Sequence, residues 1–346
     1  MTTLKDLSRH LGLSVTQVSR ALNGHSDVSA RTRARVETAV KELNYIPNLT
    51  ARRLVSGRSG VVGLVAEAGP DTPEDSVFFE TVLGLSGEFS RRDIQFVLHL
   101  MPPGTGDARP VYDRLRLGGG LDGFVLLGPC PGDPRIRHLE DSGVAFVVHG
   151  RSHAAPPYPF FDVDNCAILH DHAARLAALG HTRIALVDAG PGAAFTAFRE
   201  DGYRAALEAA GLRPDPALVV RAPMTEGNGL VAAIRLLSDP ATRPTAIICG
   251  NLLVAKGVFA GIRALGLTVP GDVSVTAHDD VLRAVGADGF APALHRTRAP
   301  IADSWPHLAD FLARAVAGED PAALQRVAPF KVIEGASIAP PPENAH

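Results

Sequence analysis

The chain has 346 residues, of which 46% are hydrophobic, and a formal net charge of −3, which leaves room for two or three domains with substantial cores. It contains no run of about 18 apolar residues and starts Met-Thr-Thr-Leu-Lys, so neither a membrane span nor a signal peptide is expected. Cys130, Cys166 and Cys249 are odd in number and far apart, which argues against a disulfide framework or a cysteine metal site and fits a cytoplasmic protein.

The charge is unevenly distributed. Residues 1–60 hold ten Lys and Arg against Asp6, Asp27, Glu37 and Glu42, a charge of +6, which leaves −9 for the rest. A basic head on an acidic body predicts that the head alone meets a polyanion. Leu4, Leu7 and Leu11 share one helical face, with Thr3 placed as N-cap and Asp6 in the first turn. Gly12 supplies a tight turn. Ser14 and Gln17 stand at capping-box spacing for a second helix, Val15–Leu22. Val18, Ala21 and Leu22 would face inward there, leaving Val15, Thr16, Gln17 and Arg20 outward. Two short helices across a glycine turn, the second with a basic outer face, describe a helix-turn-helix DNA reader.

Asn23-Gly24-His25 ends the second helix, and Ser29 opens a third that runs to near Leu43, with Val36, Val40 and Leu43 inward. Pro47 stops that unit. Leu49–Arg58 reads as one or two helical turns ended by Gly57, too short to be stable alone. Leu54 among Arg52, Arg53 and Arg58 has the composition of a minor-groove wedge, or else of a linker residue packed on the next domain.

From Val61 onward short apolar runs alternate with helical stretches. Strands are expected at Val61–Ala66, Gln95–Leu100, Gly123–Leu127 and Ala145–His149. A second set is expected at Phe160–Val163, Arg183–Val187, Leu218–Arg221, Ala246–Cys249 and Val273–Ala277. Helices fall between them, including Phe78–Arg91, Ile168–Leu179, Phe198–Ala210, Leu230–Leu237 and Val254–Leu265. This alternation predicts parallel sheets with helices on both faces. Nine strands are many for one sheet, and the Pro-rich Ala154–Pro159 reads as a crossover between two. Leu294–Thr297, Ile301–Ala317 and Phe330–Ile333 would return across both. Two doubly wound lobes bind ligands outside the carboxyl ends of their strands. The Pro-rich tail carries no leucine heptad.

Several stretches together carry a resemblance that spans nearly the whole chain. They are Ser14–Asn23, Val28-Ser29-Ala30-Arg31-Thr32-Arg33, Leu43-Asn44-Tyr45-Ile46-Pro47-Asn48 and the segment ending in Leu54. In the body they are Leu179-Gly180-His181-Thr182-Arg183-Ile184-Ala185, Arg199-Glu200-Asp201-Gly202-Tyr203, Val269-Pro270-Gly271-Asp272-Val273-Ser274-Val275 and Asp279-Asp280. In this order and spacing they resemble the lactose-repressor/purine-repressor (LacI/GalR) family of transcription factors. The resemblance implies an α/β chain: an all-α helix-turn-helix head on a two-lobed, periplasmic-binding-protein-like body. The expected division is a DNA-binding domain at 1–47 and a hinge helix and linker at 48–59. A first lobe follows at 60–159 (about 291–326 returning), a second at 160–290 (about 327–339 returning), and a tail at 340–346.

The resemblance also implies roles. Val15, Thr16 and Arg20 would read base edges, Arg20 by two bonds to guanine and Val15 by a thymine methyl. Gln17 is the next outward residue. Ser14, Ser19 and Asn23 would contact phosphate, together with Arg52, and Leu54 would intercalate. In the effector cleft the pattern points to Phe78, His149, Arg199, Asn251 and Asp279. Three positions depart from the family's usual residues: Leu252 after Asn251, His278 before Asp279-Asp280, and His149 where an acid is common. Phe78 could equally be core, and Asp279 a helix cap or salt-bridge partner.

Enzyme chemistry finds little support. There is no G-x-G-x-x-G after the first strand, where Glu67-Ala68-Gly69-Pro70-Asp71 stands, and no phosphate-binding loop or G-x-S-x-G elbow. His170-Asp171-His172 is expected to be solvated, because residues two apart on a helix point in different directions. His278-Asp279-Asp280 has no nucleophile nearby in sequence. The expected protein is therefore not an enzyme and needs no cofactor or metal. It pairs as a homodimer on a near-palindromic operator, as a repressor, and takes a small effector. A sugar suits the mixed polar cleft, with a purine or other metabolite as the alternative; a sugar-binding receptor without DNA function is the other reading, which the DNA-binding head and the absent signal peptide oppose.

Overall fold

The computed structural model describes residues 2–22, 27–45, 58–68, 76–118 and 120–343. It divides into two units, residues 1–60 and 61–346. Asn23, Arg52 and Leu54, and with them the expected 48–57 segment, lie outside the described residues.

In the first unit, α1 (Leu4–Leu11), α2 (Val15–Leu22) and α3 (Ala30–Glu42) surround one small core. Leu7, Val18, Ala21, Val36 and Ala39 are buried, with Leu4, Leu11, Leu13, Leu22, Val28, Val40, Leu43 and Tyr45 packed around them. Local chemistry fixes the helix ends. Thr3 and Asp6 form a reciprocal capping box on α1, and Gly12 closes it with φ 64°. Ser29 caps α3 by accepting from the Thr32 amide.

The second unit contains two six-stranded sheets. The first has the order β11-β5-β4-β3-β1-β2, built from β1 (Val61–Glu67), β2 (Gln95–Met101), β3 (Gly123–Leu127), β4 (Ala145–His149), β5 (Phe160–Val163) and β11 (Gln325–Ala328). All its pairings are parallel. The second has the order β12-β10-β9-β8-β6-β7, from β6 (Ile184–Asp188), β7 (Val219–Arg221), β8 (Ala246–Cys249), β9 (Ser274–Asp279), β10 (His295–Arg298) and β12 (Lys331–Ile333). Only β12 runs antiparallel to its neighbour. The first lobe's helices are α4 (Ser76–Ser90), α5 (Arg109–Leu117), α6 (Pro134–Asp141) and α11 (Ser304–Val316). The second lobe's are α7 (Asn165–Ala178), α8 (Ala194–Ala209), α9 (Glu226–Leu237) and α10 (Leu252–Ala264).

The central strands read as continuous apolar runs because both of their faces are covered. Phe124, Val148 and Phe160 enter one core of the first lobe, while Val125, Val147 and Phe161 enter the other. Ala185 and Ile247 face one core of the second lobe, and Leu186 and Ile248 the opposite one. Helix packing is close where glycines permit it. A Cβ on Gly84 of α4 would overlap the Trp305 ring, and one on Gly202 of α8 would overlap the Cys166 carbonyl of α7.

The sheet pairing corrects the expected lobe boundaries. β5 belongs to the first lobe, paired with β4 through Val148↔Phe160 and His149↔Phe161. The Pro-rich 154–159 stretch is thus a connection within that lobe, and the chain crosses after Val163 instead. β10 stays in the second lobe, and the first-lobe return extends through β11 at Ala328. β11 escaped the sequence reading because Gln325, Arg326 and Val327 are exposed, so this edge strand carries no apolar pattern.

Candidate functional site: an exposed helix and a cleft

On α2, Ser14 and Gln17 cap reciprocally. The Gln17 amide donates to Ser14 Oγ at 3.1 Å, and the Ser14 amide donates to Gln17 Oε1 at 3.1 Å. That leaves Val15, Thr16 and Arg20 on the exposed face, with Val15 39% accessible despite being apolar. Ser19 is half-buried beside them. Gln17 spends its carbonyl on the cap and keeps only its NH₂ for another partner. Arg20 is not idle: its guanidinium grips Asp27 through Nη2 at 2.7 Å and Nε at 3.3 Å. An exposed pair of this kind is worth about 0–1 kcal/mol. A bidentate guanine contact gives about 1–3 kcal/mol, so DNA can take Arg20 from Asp27. Arg35 donates to the Leu11 carbonyl at 3.0 Å and so ties α3 to α1.

In the body, the strand order reverses between β1 and β3 and again between β6 and β8, the positions where doubly wound sheets open a crevice. Strand ends and their neighbours deliver the polar groups. His149 closes β4, Asp188 closes β6, Asp279 closes β9, and Asp280 follows it. Two bonds join the lobes near this line: the Arg283 amide donates to Glu80 Oε1 of α4 at 2.5 Å, and the Ala194 amide to the Pro129 carbonyl at 2.8 Å.

The five expected effector residues have different fates. Phe78 lies on α4, half-buried, edge-to-face with Phe79. His149 is half-buried, and burial pushes its imidazole down to about 4, against the opposing pull of Asp280. Arg199 is 4% exposed. Its Nε donates to Asn165 Oδ1 at 2.9 Å, and its Nη1 to Asp188 Oδ1 at 3.0 Å and the Gly250 carbonyl at 3.1 Å. Its plane stacks 5.0 Å from Phe195. Only Nη2 remains without a hydrogen bond among the described residues. Asn251, 2% exposed, caps α10 by accepting from the Val254 amide at 2.9 Å. Its visible tasks are to start that helix and to donate from Nδ2 to the Met224 carbonyl at 3.5 Å. Asp279 is the salt-bridge partner its alternative reading described: Arg296 Nε donates to Oδ2 at 3.0 Å, and the Val281 amide donates to Oδ1 at 2.8 Å. That second bond holds Val281 at φ 57°, a strained conformation for a β-branched residue.

The strained turn presents Asp280, which the sequence names beside Asp279 but not among the expected effector contacts. Burial works against its charge, yet His278, Arg199 and His149 hold its carboxyl below the ordinary carboxylate range. His278 Nε2 stands 3.2 Å from it. Arg151 is the other missed residue. It donates to Asp162 Oδ2 of β5 at 2.8 Å and stacks over Phe160 and over Phe198 of α8, at 5.8 and 5.3 Å, bridging the two lobes. Burial pushes the Asp162 carboxyl up despite that partner. Chain-local spacing gives no sign of Arg151.

His170-Asp171-His172 also needs correction. His170 is exposed, but His172 is fully buried, because α7 packs that face against the second sheet. Burial lowers the imidazole pKa values of His149, His172, His181, His295 and His307. The unfolded chain then takes up protons first as pH falls below about 6.5. Stability is therefore complete above that pH and lost on acidification. The melting temperature should fall steadily from about pH 6.5 to 4; a flat profile over that range would contradict the burial of these rings.

Comparisons with known proteins fit both parts. Residues 3–48 match the family described as bacterial regulatory proteins, lacI family, and residues 173–338 match the periplasmic binding protein-like domain. The HTH-type transcriptional regulator AglR of Rhizobium meliloti (strain 1021) is 37% identical over 343 residues, 99% of this chain and 96% of the relative. This chain belongs to the LacI family. Another LacI-family relative, the HTH-type transcriptional regulator CelR of Thermobifida fusca, is 37% identical over 287 residues, covering 80% of this chain and 82% of its own. A solved transcriptional regulator CelR–cellobiose complex superposes with a TM-score of 0.69 at 28% identity, over 97% of this chain and 100% of that one. The lac repressor dimer bound to operator shares the fold, with a TM-score of 0.77 at 22% identity over 98% and 99% of the two chains. These relatives are named as transcriptional regulators, not enzymes. Among the described residues no helix is long and apolar enough to cross a membrane.

Proposed function

We propose that this LacI-family regulator is a repressor that binds a near-palindromic operator as a homodimer and responds to a sugar in the cleft of its body. The observation that carries the reading is the capped, exposed face of α2, with Val15, Thr16 and Arg20 outward over a closed core. Ser14, Ser19, Asn23 and Arg52 are proposed to meet phosphate, with Gln17 in a lesser role and Leu54 entering the minor groove. In the cleft, His149, Asp280 and the spare Arg199 nitrogen offer acceptors and donors suited to hydroxyls, and Phe78 offers a ring face. The cellobiose bound to the CelR relative favours a sugar over a purine. The effector acts through its different affinity for two arrangements of the lobes, with coupling typically about 1–3 kcal/mol.

Pairing is proposed through the first lobe. Phe79 and Leu83 on α4 are 48% and 68% exposed, and Val97 and Leu100 on the edge strand β2 are 38% and 47% exposed. One recognition helix reads one half-site, so a two-fold dimer is needed for a palindrome. Leu83→Asp should shift the protein from dimer to monomer in sedimentation velocity and weaken operator binding in parallel. A dimer that persists unchanged would remove this face from the interface.

The head assignment is tested by retention on duplex DNA across a salt series, with the full chain and with residues 61–346. The full chain should bind with a steep salt dependence, and the truncated chain should lose it. Equal retention of the two would refute the reading.

A further inference from the structure

We propose that Asp171 and His172 of α7 and His295 of β10 form a binding site for a first-row divalent transition metal, with zinc as the probe. One donor atom from each residue lies within 4.8 Å of those of the other two. His172 and His295 are both fully buried. Asp171 Oδ2, His172 Nδ1 and His295 Nε2 are buried and make no hydrogen bond among the described residues. Unsatisfied buried polar atoms are rare, and several gathered at one point call for a partner. Two imidazoles and a carboxylate are a donor set that suits zinc and its first-row neighbours.

The surroundings have the character of an outer shell. His172 Nε2 stands 3.0 Å from Thr297 Oγ1, which holds the ring by one nitrogen and leaves the other. His295 Nδ1 stands 3.2 Å from Glu334 Oε2. Metal-bound histidines are oriented in this way, through a carboxylate or hydroxyl on the second nitrogen. Burial keeps both rings neutral, the state in which an imidazole offers a lone pair. Arg199 and Arg175 are the cations that act on His172; Arg199 is paired with Asp188 at 3.0 Å, and Glu334 pairs with Arg175 at 3.3 Å. With Asp171 and Glu334 against Arg175, the local balance is negative. Donors around a tetrahedral zinc stand about 3.3 Å apart, so the present spacing has to close by at most about 1.5 Å. The half-exposed Asp171 side chain is the member with room to move.

The site is wired to the cleft. Thr297 Oγ1 also meets His278 Nδ1 at 2.9 Å, and His278 faces Asp280. A cation that fixes His172 therefore fixes the far end of the chain of groups that supports Asp280.

The test uses the full chain, free of any tag, stripped with chelator and re-equilibrated with Zn²⁺ or Co²⁺. Wild type should retain about one zinc per chain and melt at a higher temperature with the metal than without. Asp171→Asn and His295→Gln should each weaken zinc binding by more than about tenfold. The Co²⁺ form should lack a thiolate charge-transfer band, since Cys130, Cys166 and Cys249 are not ligands. Asp171 accepts no hydrogen bond among the described residues, so Asp171→Asn should match the metal-free wild type in melting temperature and carries the test if His295→Gln folds poorly. Failure of wild type to retain zinc would mean that water alone fills the site. Undiminished zinc binding by Asp171→Asn, or a thiolate band, would place the metal elsewhere. Any of these results overturns the proposal.

Discussion

Arg20→Met should reduce operator affinity by about 5- to 150-fold per half-site, from the loss of about 1–3 kcal/mol of bidentate base recognition. With two half-sites in a dimer the losses combine, so specific binding falls towards the non-specific level. Non-specific binding itself should change little beyond the loss of one cation in each head. The fold should survive, because Arg20 lies on the exposed face of α2 and, among the described residues, pairs only with Asp27. Asp27→Asn supplies the contrast. It frees Arg20 without removing it, and a surface pair of this kind contributes about 0–1 kcal/mol. Operator affinity should therefore hold or rise slightly. Titrations of labelled operator and scrambled duplex with both variants check this. If Arg20→Met binds operator as wild type does, α2 is not the base-reading helix.

Removing Arg199 should have a different kind of effect. Its guanidinium and the Asp188 carboxylate are each 5% exposed and stand 3.0 Å apart. Arg199→Met leaves Asp188 buried without its cation, a change that typically destabilises by about 3–5 kcal/mol. Loss of effector response in that variant would by itself say little about contact with the effector. Asp280→Asn is the cleaner probe. It keeps the shape, removes the charge, and touches a residue 22% exposed whose charged neighbours are His278, Arg199 and His149. Effector response should vanish with a melting temperature close to wild type. Urea melts of Arg199→Met alone, and with Asp188→Leu added, separate the causes. The double variant should recover most of the lost stability, since replacing both partners of a buried pair is often near neutral. If Arg199→Met costs under about 1 kcal/mol, the buried pair is not the framework described above.

Much of the chain is governed by neighbours a few residues away. The Thr3–Asp6 and Ser14–Gln17 caps, the Gly12 turn and the Ser29 cap are contests between side chains and the backbone amides of the next helical turn, so residue order is enough to read them. Apolar runs such as Gly123–Leu127 and Ala145–His149 announce strands covered on both faces, because consecutive residues in their middle are all buried. Those local rules yield the helix-turn-helix, the parallel sheets and the need for two of them. They do not reach across the fold. Asp27 holding Arg20, Asp188 and Asn165 holding Arg199, Arg296 holding Asp279, and Thr297 joining His172 to His278 are ion pairs and hydrogen bonds that exist only after distant segments meet. His172 lies 125 residues from Thr297; it falls on the apolar face of α7 with Ile168, Leu169 and Leu176, but that spacing does not name the partner it meets. The lobe to which β5 belongs is likewise a choice of hydrogen-bonding partner. Its alternating Phe160 and Phe161 suit either sheet, and the register with β4 decides between them. Which polar groups face the cleft follows from that packing, because burial and charge pairing leave free only those groups that no distant partner has claimed.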